Sequence, residues 1–506
     1  MNVKSKKMAV TLSYINTALS YFVMLLITPL IIRIIGKSEF GLYSLVNSII
    51  GYLALLSLGF GSAYVRFYYR VKKDSNNKKI ENLNGTYFLT YSVMALLVII
   101  GGIILIFFSE QVFGPKLTPE EHGTAKILLA ILTFNLAGTF IFSIFWSYLR
   151  AIHHFVVIEI ALLIKTILSP ILIISLLLLG FGSIGFVAAT ALVTMIIEIF
   201  VSIYAFKKGG IKIKFNNYDK SLFKEIFLYS IFIFGFELLN QFNNGVDNIV
   251  LGWTSGTEIV SVYAIGITIS GIILSLPNGI NNVITPDINR IASSEEDKIE
   301  IISDMQVRFG RMIFMIIAFI LSGFILFGIP FLNLWVGPGF EDAYWIVIII
   351  GTAKIFGYSL TVSSIYIKAE NIHKTRLISF AVAIILNIAI TIPLAIYIGP
   401  VGAAIGTGAT YLLYTIFMHF YYVHIIKIKL YRFWREVAYI LLIYLILLVP
   451  FFVLGFYVDF NVLWILLLVG IGYVIAFFVV NILFVLNNYE KNILFSIFKR
   501  KKQKQI

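Results

Sequence analysis

Polar side chains recur at helical spacing in a stretch that is otherwise apolar. The segment FELLNQFNNGVDN, residues 236–248, carries Glu237, Asn240, Gln241, Asn244 and Asn248 at positions i, i+3, i+4, i+7 and i+11. This spacing places the five side chains on one face of a helix, within an arc of about 100°. Such groups are costly against lipid and cheap against water. We therefore predict that this face lines a water-filled cavity, the alternative being hydrogen bonding between helices.

Further polar groups extend this pattern to other predicted helices. Near the N-terminus, Asn16, Thr17 and Ser20 form a similar stripe, and Asn278 follows a proline in a later apolar run. We assign these residues, with Asn240, Gln241 and Asn244, to a substrate-binding cavity. Glu237 and Asp247 are the acidic groups of this region.

Two lysines lie near the middle of long apolar runs. Lys165 and Lys354 are each about ten residues from the nearer end of their runs, and Tyr358 shares the helix face of Lys354 at i+4. A charge at this depth costs about 3 kcal/mol on insertion scales, so it normally faces the interior of the helix bundle. We predict that Lys354, Lys165 and Tyr358 bind an anionic substrate. An internal ion pair with Glu159 or Glu198 is the alternative for Lys165.

Composition identifies the class of protein that holds these groups. The chain has 506 residues, 60% hydrophobic residues, 13% charged residues and a mean hydropathy of +0.96. A soluble protein carries about 25% charged residues, so an all-α, polytopic membrane protein is indicated. The chain has no cysteine, and its six histidines lack the i, i+4 spacing of a helical zinc pair. We expect neither a metal nor a cofactor.

Hydropathy predicts fourteen spans, each long enough to cross about 30 Å of hydrocarbon. They cover approximately residues 8–34, 41–65, 84–108, 124–149, 155–179, 183–206, 226–252, 259–284, 309–333, 343–367, 376–398, 401–424, 435–457 and 461–485. With a cytoplasmic N-terminus, 33 of the 39 Lys and Arg residues fall on the cytoplasmic side and four on the external side. The positive-inside rule requires this asymmetry. We predict a multi-pass plasma-membrane protein with both termini in the cytoplasm.

The same asymmetry accounts for the net charge of +14, so no nucleic-acid partner is needed. Orientation in the membrane is one interpretation of the basic loop KKGGIKIK, residues 207–214, and of the basic tail KRKKQKQI, residues 499–506. Contact with anionic lipid headgroups is the other.

Weak internal repeats indicate a duplication. GKSEFGLYSLV from Gly36 aligns with GTEIVSVYAIG from Gly256, SYLRA from Ser147 with IYIKA from Ile365, and GSIGFVAAT from Gly182 with GPVGAAIGT from Gly399. The repeat unit is six helices, an even number, so both copies enter the membrane in the same direction. Parallel repeats place the substrate site at their interface.

The repeats define the predicted domains. We predict an N-lobe of helices 1–6 at residues 1–206 and a cytoplasmic linker at residues 207–225. A C-lobe of helices 7–12 follows at residues 226–424. Two extra helices and a basic cytoplasmic tail complete the chain at residues 425–506.

Three stretches carry a family resemblance. LSYINTALSYFVMLLITPLIIRIIGKSEFGLYSLV at residues 12–46, GFGSAYVRFYYR at 59–70 and YLRAIHHFVVIEIALLIKTILSPILII at 148–174 resemble bacterial polysaccharide flippases of the Wzx type. These belong to the multidrug/oligosaccharidyl-lipid/polysaccharide exporter (MOP) superfamily. The likeness covers essentially the whole chain, although none of its motifs is as specific as a zinc site. It implies two six-helix bundles around a cationic central cavity that opens alternately to each side.

The resemblance also implies a substrate and partners. The substrate would be an oligosaccharide repeat on undecaprenyl pyrophosphate, flipped for capsule or exopolysaccharide synthesis beside a polymerase and glycosyltransferases. The acidic helix with Glu237 and Asp247 departs from a purely cationic lining, and we predict that these two acids couple transport to H⁺ or Na⁺. A cation-coupled multidrug exporter of the same superfamily is therefore the alternative, although cationic drugs are poorly served by two mid-membrane lysines. A membrane enzyme is not expected, because no catalytic arrangement of His, Asp or Glu stands out.

Overall fold

Membrane-length helices make up almost the whole described chain. The computed structural model describes residues 3–57, 59–73, 77–215, 220–293, 297–370, 372–488 and 490–492, with seventeen α-helices and no β-strand among them. The first nine are α1 Val3–Ala54, α2 Phe60–Lys72, α3 Asn77–Phe107, α4 Ser109–Phe113, α5 Pro119–Ala151, α6 Phe155–Leu178, α7 Gly182–Lys207, α8 Lys220–Ser255 and α9 Thr257–Ser275. The others are α10 Asn278–Ala292, α11 Lys298–Trp335, α12 Glu341–Ser359, α13 Thr361–Ala369, α14 His373–Ile398, α15 Pro400–Phe420, α16 Tyr431–Leu454 and α17 Leu463–Val480.

The number of spans is close to the prediction. Within the described ranges, eleven helices are long and apolar enough to cross a membrane, or twelve if α12 and α13, bent by 52°, form one span. Helices suit this environment because they satisfy every backbone polar group internally. The predicted all-α polytopic fold is confirmed. The count of fourteen stays a prediction. Twelve spans become fourteen if the two halves of α1 are counted separately and α8 is included.

Gly36 divides α1 into two parts. Its φ of 82° and ψ of 172° interrupt the helix, and only glycine adopts such a conformation at low cost. Gly256, the residue aligned with Gly36 in the duplication, has a φ of 86° and separates α8 from α9. Gly182 and Gly399, the third aligned pair, have φ values of 54° and 69°. The chain therefore repeats the same local backbone conformation at the offsets that the sequence alignment predicts.

The chain divides into two compact units. One comprises residues 1–264 with 384–403, and the other comprises residues 265–383 with 404–506. These units differ in their limits from the predicted lobes, whose boundaries stay a prediction. Residues 216–219 of the predicted linker and residues 493–506 of the basic tail lie outside the described part of the chain.

The first unit has an aromatic core where α2, α3 and α5 meet. Tyr64 and Tyr87 are almost fully buried and pack edge to face, with ring centroids 4.9 Å apart. The Tyr64 hydroxyl donates to Asn84 Oδ1 at 2.6 Å, which satisfies its polar end. This core packs α2, α3 and α5 together within the first unit.

Candidate functional site

Two members of the polar stripe on α8 bond to the second half of α1. Gln241 Nε2 donates to the carbonyl of Ser48 at 3.1 Å, and Asn248 Nδ2 donates to the Ser48 hydroxyl at 2.8 Å. Gly51 permits this approach, since a Cβ there would lie 2.2 Å from Gln241 Nε2. Gln241 and Asn248 therefore form hydrogen bonds between α8 and α1. This is the alternative to a water-filled cavity that the sequence left open.

The other members of the stripe have different surroundings. Glu237 and Asn240 are exposed on α8, while Asp247 is buried, 2% exposed, and accepts a short hydrogen bond from the Tyr263 hydroxyl. The side chain of Asn244 lies outside the described part of the structure. The two acidic candidates for ion coupling thus differ, one accessible and one enclosed.

The stripe of the first half of α1 meets α6. The Thr166 hydroxyl lies 3.1 Å from Asn16 Oδ1 and 3.4 Å from Ser20 Oγ. Thr17 is exposed, and its hydroxyl donates to the Ser13 carbonyl in its own helix. The α1 stripe thus has a polar partner on α6, next in the chain to Lys165.

Lys165 has an acidic partner on α7. Its ammonium group interacts electrostatically with Glu198, a carboxylate that is only 6% exposed. Glu198 also accepts a hydrogen bond from Trp146 Nε1 at 2.5 Å. Of the two acids considered from the sequence, the structure therefore brings Glu198 to Lys165. This pairing supports a structural role for Lys165, and a role in substrate binding stays a prediction.

Lys354 lies on an aromatic ring inside a span. It is half-buried on α12, and its Nζ is 5.2 Å from the ring centroid of Tyr411 on α15. Gly357 allows α12 and α15 to approach, because a Cβ there would lie 3.1 Å from Tyr411 Cε1 and 2.8 Å from Thr415 Oγ1. A cation over a tyrosine face gains about 0.5–2 kcal/mol while it keeps its charge and its donors. Lys354 thus remains chemically able to bind an anion.

Other tyrosines and a further cation interact with Tyr411, the ring that Lys354 contacts. Tyr358, one turn along α12, and Arg376 on α14 both interact electrostatically with Tyr411. Arg376 also acts on Tyr422. We call Lys354, Tyr358, Arg376, Tyr411 and Tyr422 the lysine–tyrosine cluster. Its two cations are of the kind that binds phosphate oxygens, whereas Tyr422 is buried, 4% exposed.

Sequence reasoning missed part of this cluster. Tyr411 and Tyr414 are three residues apart on the twelfth predicted span, with ring centroids 6.1 Å apart, and this aromatic pair was a usable signal. Arg376 was counted only as a basic loop residue. Asn278, a predicted site residue, is exposed at the start of α10.

The fold defines the class of protein first. It resembles the structure described as "Lipid II flippase MurJ, inward closed conformation", with a TM-score of 0.72 and 17% identity over 94% of this chain and 97% of that chain. An inward-facing multidrug resistance MATE family transporter of the MOP superfamily gives a TM-score of 0.66 and 14% identity, over 79% and 92% of the two chains. The protein therefore has the fold of MOP-superfamily transporters.

The sequence comparison then defines the family. Residues 7–292, more than half of the chain, match the family described as "Polysaccharide biosynthesis protein", and the chain belongs to that family. "Uncharacterized membrane protein EpsK" of Bacillus subtilis (strain 168) is 25% identical over 338 residues. That match covers 64% of this chain and 64% of the relative, which is less than two thirds of its length. The resemblance to polysaccharide flippases of the MOP superfamily is confirmed.

Proposed function

We propose that this protein flips an oligosaccharide repeat, linked to undecaprenyl pyrophosphate, across the plasma membrane for the export of a cell-surface polysaccharide. Family membership supports the link to polysaccharide synthesis. The fold shared with a lipid II flippase and with MATE transporters supports movement across the membrane by alternating access. A polymerase and glycosyltransferases are the partners that this role requires.

The position of Lys354 carries the proposal. The headgroup brings about two negative charges into a region where an unpaired charge costs several kcal/mol. An ammonium group that lies 5.2 Å from the ring centroid of Tyr411 offsets part of that cost. Tyr358 and Arg376 stand within electrostatic range of the same ring and provide further donors for phosphate oxygens.

The acidic groups of α8 supply the coupling step in this proposal. Glu237 is exposed and exchanges H⁺ or Na⁺ with water, while Asp247 is enclosed beside Tyr263. Asn16, Thr17, Ser20 and Asn240 provide neutral polar contacts for sugar hydroxyls. Binding of the ion and of the lipid-linked sugar then favours different conformations of one carrier.

The test is complementation of a strain from which the gene has been deleted. We expect loss of the surface polymer and accumulation of lipid-linked repeats that a membrane-impermeant sugar oxidant labels only after permeabilisation. Restoring the wild-type gene reverses both effects. Normal polymer in the deletion strain that lacks any second homologue, or repeats already labelled in intact cells, would contradict the proposal.

A cation-coupled multidrug exporter is the second candidate, favoured by the MATE-like fold and by Glu237 and Asp247 on α8. It predicts that deletion increases sensitivity to lipophilic cations such as ethidium and leaves the surface polymer unchanged. Measurement of both traits in one deletion strain separates the two functions.

A further inference from the structure

An apolar groove opens at the end of the first unit where the basic loop lies. It has a volume of about 690 Å³ and lies between α3, α5, α7 and residues 211–215. Its walls are mainly apolar and include five phenylalanines, Phe88, Phe142, Phe145, Phe206 and Phe215. Phe145 and Phe206 pack with ring centroids 5.2 Å apart, and Phe88 and Phe215 with centroids 6.3 Å apart. Packing between these rings therefore forms the walls of the groove.

Hydrogen bonds to α3 hold the loop that forms one wall. The Lys214 backbone N–H donates to the Glu81 carbonyl at 3.1 Å, and Asn84 Nδ2 donates to the Lys212 carbonyl at 2.9 Å. At Gly85 the loop approaches α3 so closely that a Cβ would lie 1.8 Å from the Lys214 carbonyl oxygen. The backbone of the loop is thus fixed against α3.

The rim of the groove is cationic. The side chains of Lys212 and Lys214 are 73% and 52% exposed, and both lie near Glu81, Lys214 Nζ at 2.7 Å and Lys212 Nζ at 3.8 Å. Lys207 and Lys208, also exposed, precede them in the same loop. Lys212 and Lys214 therefore bring two ammonium groups to the one Glu81 carboxylate, and the exposed Lys207 and Lys208 add positive charge to the same loop.

Charge and apolar surface follow one another along α3. Phe88 is seven residues beyond Glu81, which is about 10 Å along a helix that rises 1.5 Å per residue. The cationic rim belongs to the side that the distribution of Lys and Arg predicts to be cytoplasmic. A ligand that fits this order has an anionic head at the membrane surface and an apolar chain directed into the membrane.

We infer that this groove binds an anionic phospholipid of the cytoplasmic leaflet. Its phosphate lies between Lys212 and Lys214, and an acyl chain packs against Phe88, Phe142 and Phe206. Charge complementarity selects this occupant over a zwitterionic lipid, and the groove gives the KKGGIKIK loop a ligand as well as a role in orientation. The inference is independent of the proposed transport activity.

The experiment uses the full-length protein purified in a neutral detergent. Dioleoyl phosphatidylglycerol or dioleoyl phosphatidylcholine is added, retained lipid is measured by native mass spectrometry, and the Tm is recorded. We expect phosphatidylglycerol to be retained and to raise the Tm, with little effect of phosphatidylcholine. The double variant Lys212→Gln/Lys214→Gln should weaken phosphatidylglycerol binding about 25-fold, at about fivefold per lysine, whereas Lys212→Arg/Lys214→Arg retains it.

Two controls separate the site from general effects. Lys126→Gln removes an exposed lysine that pairs with Glu110 elsewhere in the first unit, and it should leave phosphatidylglycerol binding unchanged. Phe215→Ser alters an exposed wall residue and should weaken binding of the dioleoyl lipid more than that of dihexanoyl phosphatidylglycerol. Binding of the two lipids is compared within each variant. A change in the variant's own stability affects both measurements equally and does not alter their difference.

Three results would overturn the inference. Equal retention of phosphatidylcholine would show that charge does not select the occupant. A Tm increase of the same size with sodium phosphate alone would identify a phosphate site instead of a lipid site. Displacement of phosphatidylglycerol by undecaprenyl phosphate at an equal or lower concentration would assign the groove to the polyprenyl carrier.

Discussion

At the scale of single residues, the contact of Lys354 with the Tyr411 ring explains how a span can contain an ammonium group. The ring face attracts the cation, and Lys354 Nζ lies 5.2 Å from its centroid, whereas Lys165 interacts with the carboxylate of Glu198. The two lysines, at similar depth in the sequence, therefore contact different kinds of group, an aromatic ring and a carboxylate.

We predict that Lys354→Ala abolishes surface polymer at normal protein abundance, because the pyrophosphate loses its cation. Lys354→Arg should retain partial export, since it keeps the charge over Tyr411. Polymer is measured by immunoblot of the complemented deletion strain, with Lys126→Ala as the control for loss of a lysine. Normal export by Lys354→Ala would show that the pyrophosphate binds elsewhere.

At the scale of elements, the start of α5 is bonded to two other segments. Glu121 caps its own helix by accepting from the Thr118 backbone N–H at 2.8 Å. It also accepts from the hydroxyls of Ser38, at 2.5 Å, and Thr257, at 2.6 Å. One carboxylate thus joins the break in α1, the first turn of α5 and the first turn of α9.

We predict that Glu121→Ala lowers the stability of the purified protein by about 2–4 kcal/mol, the sum of a lost cap and of lost hydrogen bonds to a charged group. Glu120→Ala, at the exposed neighbouring position of the same turn, should have little effect. Unfolding in detergent is followed by tryptophan fluorescence. Equal losses in the two variants would mean that the hydroxyl contacts contribute nothing.

A buried ion network joins α11 to the last two spans. Arg311, whose side chain is 7% exposed, bonds to Glu436 of α16, to the Val485 carbonyl at 2.8 Å and to Glu490 at 3.2 Å. Arg311 lies two residues inside the start of the predicted span 309–333. The structure places it within α11, because acids distant in the sequence compensate its charge there.

We predict that Arg311→Met destabilises the protein by about 3–5 kcal/mol, because two partly or fully buried carboxylates lose their cation. The control is Arg432→Met, which breaks the exposed Arg432–Asp304 pair between the same two helices and should cost less than about 1 kcal/mol. Thermal unfolding of both variants is compared. Similar Tm values for the two would contradict the assigned role of the network.

At the scale of the whole molecule, the distribution of basic residues predicts the orientation. We expect both termini in the cytoplasm, because 33 of the 39 Lys and Arg residues fall on that side in a map of fourteen spans. Fusions of green fluorescent protein to either end should fluoresce, and fusions of alkaline phosphatase should be inactive. An active phosphatase at one end would require an odd number of spans and would exclude parallel six-helix repeats.

The fold class and several features of the local backbone conformation follow from the amino-acid sequence alone. Long apolar runs predict spanning helices because hydrocarbon leaves the backbone no other way to satisfy its polar groups. Gly36 and Gly256, aligned in the duplication, fall between predicted spans, and both have a positive φ in the structure. The sequence also identified Lys354, Lys165, Glu237 and Asp247 as unusual, since a charge in an apolar run is visible without coordinates.

The contacts of these polar and charged side chains are visible in the tertiary structure alone. Periodicity defines a helix face but not its neighbour, so the sequence could not show that Gln241 and Asn248 bond to Ser48, nor that Lys165 meets Glu198 while Lys354 meets Tyr411. The groove beside Lys212 and Lys214 likewise depends on three helices and a loop that are far apart along the chain. These contacts depend on packing between segments that are distant in the sequence. Side-chain spacing within one segment carries no information about that packing.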